Sequence, residues 1–186
     1  MAETAVIVVD TNVLLNLATP VVDGRNRAPT GDDPLKTLLA AYDVHVPSSV
    51  LGELGEATGG EDLLAAASKL VLNASHQLTT HDVTAEIDEP LDFGLDRGES
   101  HGIWLANDLD AEMFVTDGFN STNYLFVSLA LDDRNALFTT PHVLCLLADR
   151  GALDRRYVDA ALTYYLETKG WDRQYVDTLR SNYLTD

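Results

Sequence analysis

Residues 5–18 read AVIVVDTNVLLNLA, and this stretch decides the fold class of the chain. Residues 5–9 are a short apolar run rich in β-branched side chains, which is typical of a strand buried on both faces in a parallel sheet. Asp10, Thr11 and Asn12 follow at once, and the sequence continues with a helical pattern, VLLNLA. A strand that passes through a polar turn into a helix is the opening unit of an α/β fold.

The same unit recurs along the chain. Further strands are predicted at residues 44–46, 113–116 and 136–139. The polar stretch at 76–97 has room for one short strand near Val83, and residues 19–33, rich in Gly, Pro and Asp, are expected to form an exposed loop. Strands that alternate with helices predict an α/β fold with a central parallel sheet.

Helix starts and the domain organisation follow from local signals. Asp33 followed by Pro34, and Thr140 followed by Pro141, each match a capping residue with proline at the first helical position. Residues 1–150 are expected to form the main domain, and 151–186 a helical extension of that same domain. One helical stripe of this extension is apolar and is expected to make a core or subunit contact; it comprises Val158, Ala161, Leu162 and Tyr165.

The charge balance is the most unusual global property. The 186 residues include 30 acidic and 12 basic side chains, for a net charge of -18, and the acidic residues are dispersed along the chain. This composition favours adaptation to concentrated salt, where self-repulsion is screened; an acidic protein from an ordinary environment is the alternative. The chain lacks a basic nucleic-acid footprint. Any binding of nucleic acid would therefore depend on short-range contacts, such as a metal ion between carboxylates and phosphate.

Several features favour a cytoplasmic protein. The N-terminus, MAETAVIVVD, lacks the pattern of a signal peptide, and no run of about 18 apolar residues predicts a membrane helix. The single cysteine, Cys145, lies in the apolar run HVLCLLA and is expected to be buried and inert.

Four acidic residues fall at the same predicted edge of the sheet. Asp10 and Asp117 each end a strand, while Glu53 and Glu99 lie in the first turns of helices. Side chains at the carboxyl ends of parallel strands converge on one ligand-binding edge. Each residue alone also has an ordinary explanation, since helix caps, turns and helix N-termini favour acidic side chains. His101 follows Glu99 closely but is expected to be a partly exposed helix residue.

The segments that contain these acids resemble the successive motifs of the PIN-domain family. They read VVDTNVLLN (8–16), VPSSVLGELGEA (46–57), LDRGESHGIWLAN (95–107) and FVTDGFNS (114–121), and the similarity covers about residues 4–142. The resemblance implies a three-layer α/β/α sandwich and Mg²⁺- or Mn²⁺-dependent cleavage of RNA. It also makes a homodimer or an antitoxin-type protein partner plausible expectations, although the extra helical tail favours a protein outside the toxin branch.

The resemblance also implies roles for individual residues. Asp10 and Asp117 are expected to bind the metal, Glu99 to bind it directly or through water, and Glu53 to orient or deprotonate the attacking water.

The small polar neighbours, Thr11 and Asn12, are expected to hold the first aspartate and the water. The family often has one more acid just after the fourth motif, where this chain has Gly118 and Asn120. Asn120 is the candidate replacement for that acid, and Asp96 is a second candidate that also fits a turn.

Carboxylate oxygens without thiolates or paired histidines select Mg²⁺ or Mn²⁺, and a water bound to such an ion can attack a phosphodiester in line, leaving a 5′-phosphate. Two other classes of function are compatible with the sequence. One is a non-catalytic RNA-binding or assembly module on the same fold. The other is a phosphatase with Asp10 as nucleophile, although such enzymes generally have an aspartate where this chain has Asn12.

Overall fold

The computed structural model describes residues 4–25, 31–88, 95–118, 123–132 and 135–185. Five parallel strands form one sheet in the order β3-β2-β1-β4-β5. Their bounds are Val6–Val9 (β1), Asp43–Pro47 (β2), Thr79–His81 (β3), Met113–Val115 (β4) and Ala136–Phe138 (β5). Val8 pairs with His45 on one side and with Phe114 on the other, so the strand order reverses at β1. Such a reversal is where ligands bind in open α/β sheets.

Helices connect the strands and continue beyond them. Their bounds are Thr11–Val22 (α1), Pro34–Ala41 (α2), Ser48–Ala57 (α3), Leu63–Asn73 (α4), Val83–Glu86 (α5), Arg97–Asp108 (α6), Asn123–Ala130 (α7), Thr140–Asp149 (α8), Arg155–Thr168 (α9) and Arg173–Tyr183 (α10).

The helices cover both faces of the sheet, as the alternation of side chains along β1 requires. Ile7 and Val9 join a large core with α1 to α4 and α8 to α10, whereas Val8 joins a smaller core with α5, α6 and α7. The predicted three-layer α/β/α sandwich is therefore confirmed.

The C-terminal extension belongs to the large core. The apolar stripe makes a core contact, because its four residues are fully buried: Val158, Ala161, Leu162 and Tyr165.

Cys145 is also fully buried, and burial raises the pKa of its thiol to about 12. No helix among the described ranges is long and apolar enough to span a bilayer.

The prediction that a loop begins at residue 19 is wrong, because α1 continues to Val22 with Pro20 inside it. Proline cannot donate to the carbonyl four residues earlier. That carbonyl, on Asn16, accepts instead from the Tyr165 hydroxyl at 2.7 Å. Residues 26–30 of the expected loop lie outside the described ranges.

Two other local predictions are corrected. The short strand expected near Val83 lies earlier, at Thr79–His81, and Val83 begins α5 behind the cap Asp82. The cap of α8 is Thr139 rather than Thr140: its side chain accepts from the His142 backbone. Because Thr140 does not cap α8, its side chain can bind another residue.

The position of α6 depends on a close approach to β4. A Cβ atom at Gly102 would lie 2.7 Å from Cε2 of Phe114, which is closer than packed atoms allow. Glycine therefore lets the helix lie directly on the Phe114 ring, and this contact places the first turn of α6 beside the end of β1.

Candidate functional site

Asp10 is the centre of the acidic edge. It is 8% exposed and ends β1, where its Oδ1 accepts the Thr11 backbone N–H at 2.7 Å. Its Oδ2 accepts the Thr116 hydroxyl from the end of β4, at 3.2 Å. Burial raises the pKa of Asp10 to about 6, and the charges of Asp96 and Glu53 contribute to the rise. Asp10 is thus a carboxylate whose charge its protein surroundings stabilise poorly.

Glu53 reaches the same edge from α3. Its Oε2 accepts the Thr11 hydroxyl at 2.5 Å, although the residue as a whole is exposed. Thr11 therefore binds two acids at once, Asp10 through its backbone and Glu53 through its side chain. Thr11 contacts the first aspartate through its backbone N–H, whereas Asn12 is exposed.

The first turn of α6 contributes two further carboxylates. Asp96 caps the helix, its Oδ1 accepting the Glu99 backbone N–H at 2.8 Å, and Glu99 Oε2 accepts the Asp96 backbone N–H at 3.4 Å. This reciprocal pair is a capping box. It fixes Glu99 in a buried position, and burial together with the charge of Asp96 raises the pKa of Glu99.

Gly98 leaves open a small space that three of these acids line. A Cβ atom at Gly98 would lie 3.3 Å from Asp96 Oδ1, 3.4 Å from Glu53 Oε1 and 3.9 Å from Asp10 Oδ1. The three oxygens come from three different elements of the fold. We call this space, lined by Asp10, Glu53 and Asp96 above Gly98, the carboxylate pocket.

Glu99 lies against Gly118 on the neighbouring strand end. A Cβ atom at Gly118 would lie 2.5 Å from Glu99 Oε1, so a side chain at position 118 would displace the carboxylate. The absence of an acid at Gly118 thus has a steric reason, since Glu99 occupies that space. Asn120, the candidate replacement for the missing acid, lies outside the described residues.

Asp117 has different partners. Its Oδ1 accepts the Thr140 backbone N–H at 2.8 Å, and its Oδ2 accepts the Thr140 hydroxyl at 2.5 Å and the Asn16 amide at 2.7 Å. Burial raises its pKa, while the bonds from Thr140 and Asn16 and the charge of Lys169 oppose the rise. Thr116 contacts Asp10, and Asp117 instead joins the end of β4 to α1 and α8.

The structure therefore brings Asp10 and Glu53 together with Asp96, places Glu99 in the capping box with Asp96, and gives Asp117 a separate set of contacts. His101, expected to be partly exposed, is 3% exposed; burial and the charge of Arg97 lower its pKa. The sequence argument missed the hydroxyl and amide donors that orient the acids, namely Thr116, Thr140 and Asn16. Only the Thr-Asp pair at 116–117 signalled any of them.

The donor chemistry suits Mg²⁺ or Mn²⁺, because the pocket offers carboxylate oxygens around an open glycine. Even so, no three His, Cys, Asp or Glu side chains in the described ranges form a group that could hold a metal ion. The acids line a shared space without forming a complete coordination shell.

Comparison of the chain with models of protein families, with curated proteins and with solved structures found no match.

Proposed function

We propose that this protein is a divalent-metal-dependent ribonuclease that hydrolyses phosphodiester bonds at the carboxylate pocket. The observation that carries the proposal is the convergence of Asp10, Glu53 and Asp96 on the space above Gly98. Carboxylates that share a small volume repel one another and favour binding of a cation. The resemblance of the four acidic segments to PIN-domain motifs supports RNA as the substrate, and we place the activity in the cytoplasm.

Asp10 is the residue that we assign to holding Mg²⁺ or Mn²⁺ in the pocket, with Asp96 beside it. Glu99, which forms the capping box with Asp96, would bind the ion directly or through water. When bound, the ion supplies a water of lowered pKa and neutralises charge that develops on the phosphate.

Glu53 would accept a proton from the attacking water, and the Thr11 hydroxyl holds one of its oxygens so that the other, Oε1, faces the pocket. Thr116 fixes the Asp10 carboxylate in the same way. Asp117 has both oxygens engaged by Thr140 and Asn16, so we assign it a positioning role at the end of β4.

Replacing Asp10 by Asn tests the proposal. Asn keeps the shape and an acceptor for the Thr11 N–H but removes the negative charge. We expect Asp10→Asn to lower Mn²⁺-dependent cleavage of single-stranded RNA in concentrated KCl by about a hundredfold or more, because charge stabilisation at the phosphate is lost.

The matched control is Glu56→Gln, which removes an exposed acid from the same helix as Glu53 and should cleave like the wild type. Equal cleavage by Asp10→Asn and wild type, or cleavage that persists in EDTA, would contradict the assignment of the pocket.

The absence of a metal-holding group among the described residues favours one second candidate, a non-catalytic RNA-binding module on the same fold. Titration calorimetry separates the two functions. The module binds RNA without binding Mn²⁺, whereas the nuclease binds Mn²⁺ and loses that binding in Asp10→Asn.

A further inference from the structure

The turn between α9 and α10 presents an aromatic pair. Lys169 is the C-cap of α9, Gly170 has a φ of +67° that reverses the chain direction, and Trp171 precedes Asp172, the N-cap of α10. The rings of Trp171 and Tyr175 are stacked, with centroids 6.0 Å apart and planes inclined by 27°. Both residues are half-buried, unlike Tyr164 and Tyr165 of α9, which are 4% and 0% exposed.

One hydrogen bond and one electrostatic interaction place this turn at the carboxyl edge of the sheet. The Tyr175 hydroxyl lies 2.7 Å from Oγ1 of Thr139, which follows β5 directly. The next residue, Thr140, binds Asp117, and the charge of Lys169 acts on Asp117. The aromatic pair therefore adjoins the same edge of the sheet as the carboxylate pocket, on the β5 side.

The charge distribution makes this turn the more favourable approach for a polyanion. Residues 150–186 contain six acidic and six basic side chains, whereas residues 1–149 contain 24 acidic and six basic ones. Lys169 and Arg173, both exposed, flank Trp171 in the sequence, and the exposed Asp172 between Trp171 and Arg173 caps α10. Residues 150–186 thus carry no net charge, and the whole net charge of -18 lies in residues 1–149.

We infer that Trp171, flanked by Lys169 and Arg173, is a subsite for an unpaired nucleotide of single-stranded RNA whose backbone continues to the carboxylate pocket. The inference rests on the proposed function for the identity of the ligand. An aromatic ring gives base stacking without sequence preference, and it contributes short-range affinity that survives in concentrated salt, where attraction between phosphates and cations is weak. The subsite thereby supplies RNA affinity that the electrostatic field of a negatively charged protein cannot supply.

The test measures binding in EDTA, where no metal-dependent cleavage occurs. A short fluorescein-labelled single-stranded RNA is titrated with wild type, Trp171→Ala, Trp171→Phe and Lys169→Ala, and fluorescence anisotropy gives the Kd. Loss of one base–aromatic stack weakens binding by about tenfold in Trp171→Ala, and Trp171→Phe retains most of the affinity. The charge control is Lys69→Ala, which removes an exposed lysine on α4 and should bind like the wild type.

A second readout does not depend on the folding of Trp171→Ala. In a Trp104→Phe background Trp171 is the only tryptophan, and its fluorescence should be quenched by single-stranded RNA and much less by a duplex of the same sequence. Equal Kd values for wild type and folded Trp171→Ala, or unchanged Trp171 fluorescence at saturating RNA, would overturn the subsite. Quenching of equal size by single-stranded DNA would overturn its restriction to RNA.

The subsite and the nuclease can fail separately. Trp171-dependent binding in EDTA without any Mn²⁺-dependent cleavage supports the subsite and refutes the nuclease. Mn²⁺-dependent cleavage with the same KM in wild type and Trp171→Ala supports the nuclease and refutes the subsite.

Discussion

Threonine hydroxyl groups hold three of the acids at the carboxyl edge of the sheet. Thr11 and Thr116 bind Asp10 and Glu53 at the pocket, whereas Thr140 binds Asp117. A carboxylate held by neutral donors keeps its position but retains its charge, so the electrostatic need for a cation remains. The site thus combines fixed geometry with an unneutralised charge at Asp10.

Gly98 allows the pocket to be tested at a single residue. A Cβ at this position would meet carboxylate oxygens at 3.3 and 3.4 Å, which is tighter than ordinary packing. We expect Gly98→Ala to weaken Mn²⁺ binding by about tenfold or more, comparable to other changes beside a metal site. Thermal stability should stay equal or rise by up to about 1 kcal/mol, because alanine favours the helix. Calorimetry with Mn²⁺ and thermal unfolding measure the two effects.

The matched control for this substitution is Gly55→Ala. Gly55 also lies in a helix, α3, and a Cβ there would meet nothing within 4 Å. It should gain about 0.5–1 kcal/mol of stability and bind Mn²⁺ like the wild type. Unchanged Mn²⁺ affinity in Gly98→Ala would mean that the ion does not occupy the space above Gly98.

At the scale of elements, local sequence signals located most strands and helices, and contacts distant in sequence decided the rest. The apolar run at 5–9 and the cap at Asp33 are readable locally. The continuation of α1 through Pro20 is not, because it depends on the Tyr165 hydroxyl from α9. The same reasoning explains the site. Sequence spacing placed four acids at one edge, but the partners of Asp117 come from α1 and α8, which no local pattern reveals.

The pairing of β2 with β3 contains a histidine pair whose titration is predictable. His45 Nδ1 lies 2.8 Å from His81 Nε2 across the two strands. Burial, followed by the charge of His45, lowers the pKa of His81, while Glu86 and Asp108 oppose the shift. Asp43 lies 3.3 Å from His45. In the folded protein His81 stays neutral down to a lower pH than in the unfolded chain, where its pKa is near 6.5. The contribution of His81 to the free energy of unfolding is therefore present above this pH and is lost as the pH falls below it.

We therefore expect His81 to lower the free energy of unfolding as the pH falls below about 6.5, and His81→Gln to remove this contribution. The raised pKa values of Asp10, Glu99 and Asp117 act in the opposite direction, because the folded protein protonates these carboxyl groups at a higher pH than the unfolded chain does. Some dependence persists, because burial also lowers the pKa of His142. Urea unfolding at several pH values measures the slope, and His76→Gln, at an exposed histidine, should leave it unchanged. An identical slope in wild type and His81→Gln would show that the β2–β3 pair does not control the acid response.

For the whole molecule, the dominant property is the uneven distribution of charge. The net charge of -18 is carried by residues 1–149, which also supply the carboxylate pocket. Self-repulsion of this size destabilises a compact state at low ionic strength. The large core, which includes α9 and α10, must outweigh that repulsion for the chain to fold.

Screening predicts how the stability of the whole chain depends on salt. The Debye length falls from about 10 Å at 0.1 M to about 3 Å at 1 M, so repulsion between surface carboxylates is largely removed over this range. We expect Tm to rise steeply between these concentrations, equally in KCl and NaCl, at about 2–4 °C for each kcal/mol of repulsion relieved. The variant Glu56→Gln/Glu61→Gln removes two exposed charges and should be more stable than wild type at the lower concentration but equal to it at the higher. A Tm that stays constant over this range, with no low-salt gain in the variant, would show that the acidic surface does not limit stability and that the composition has another origin.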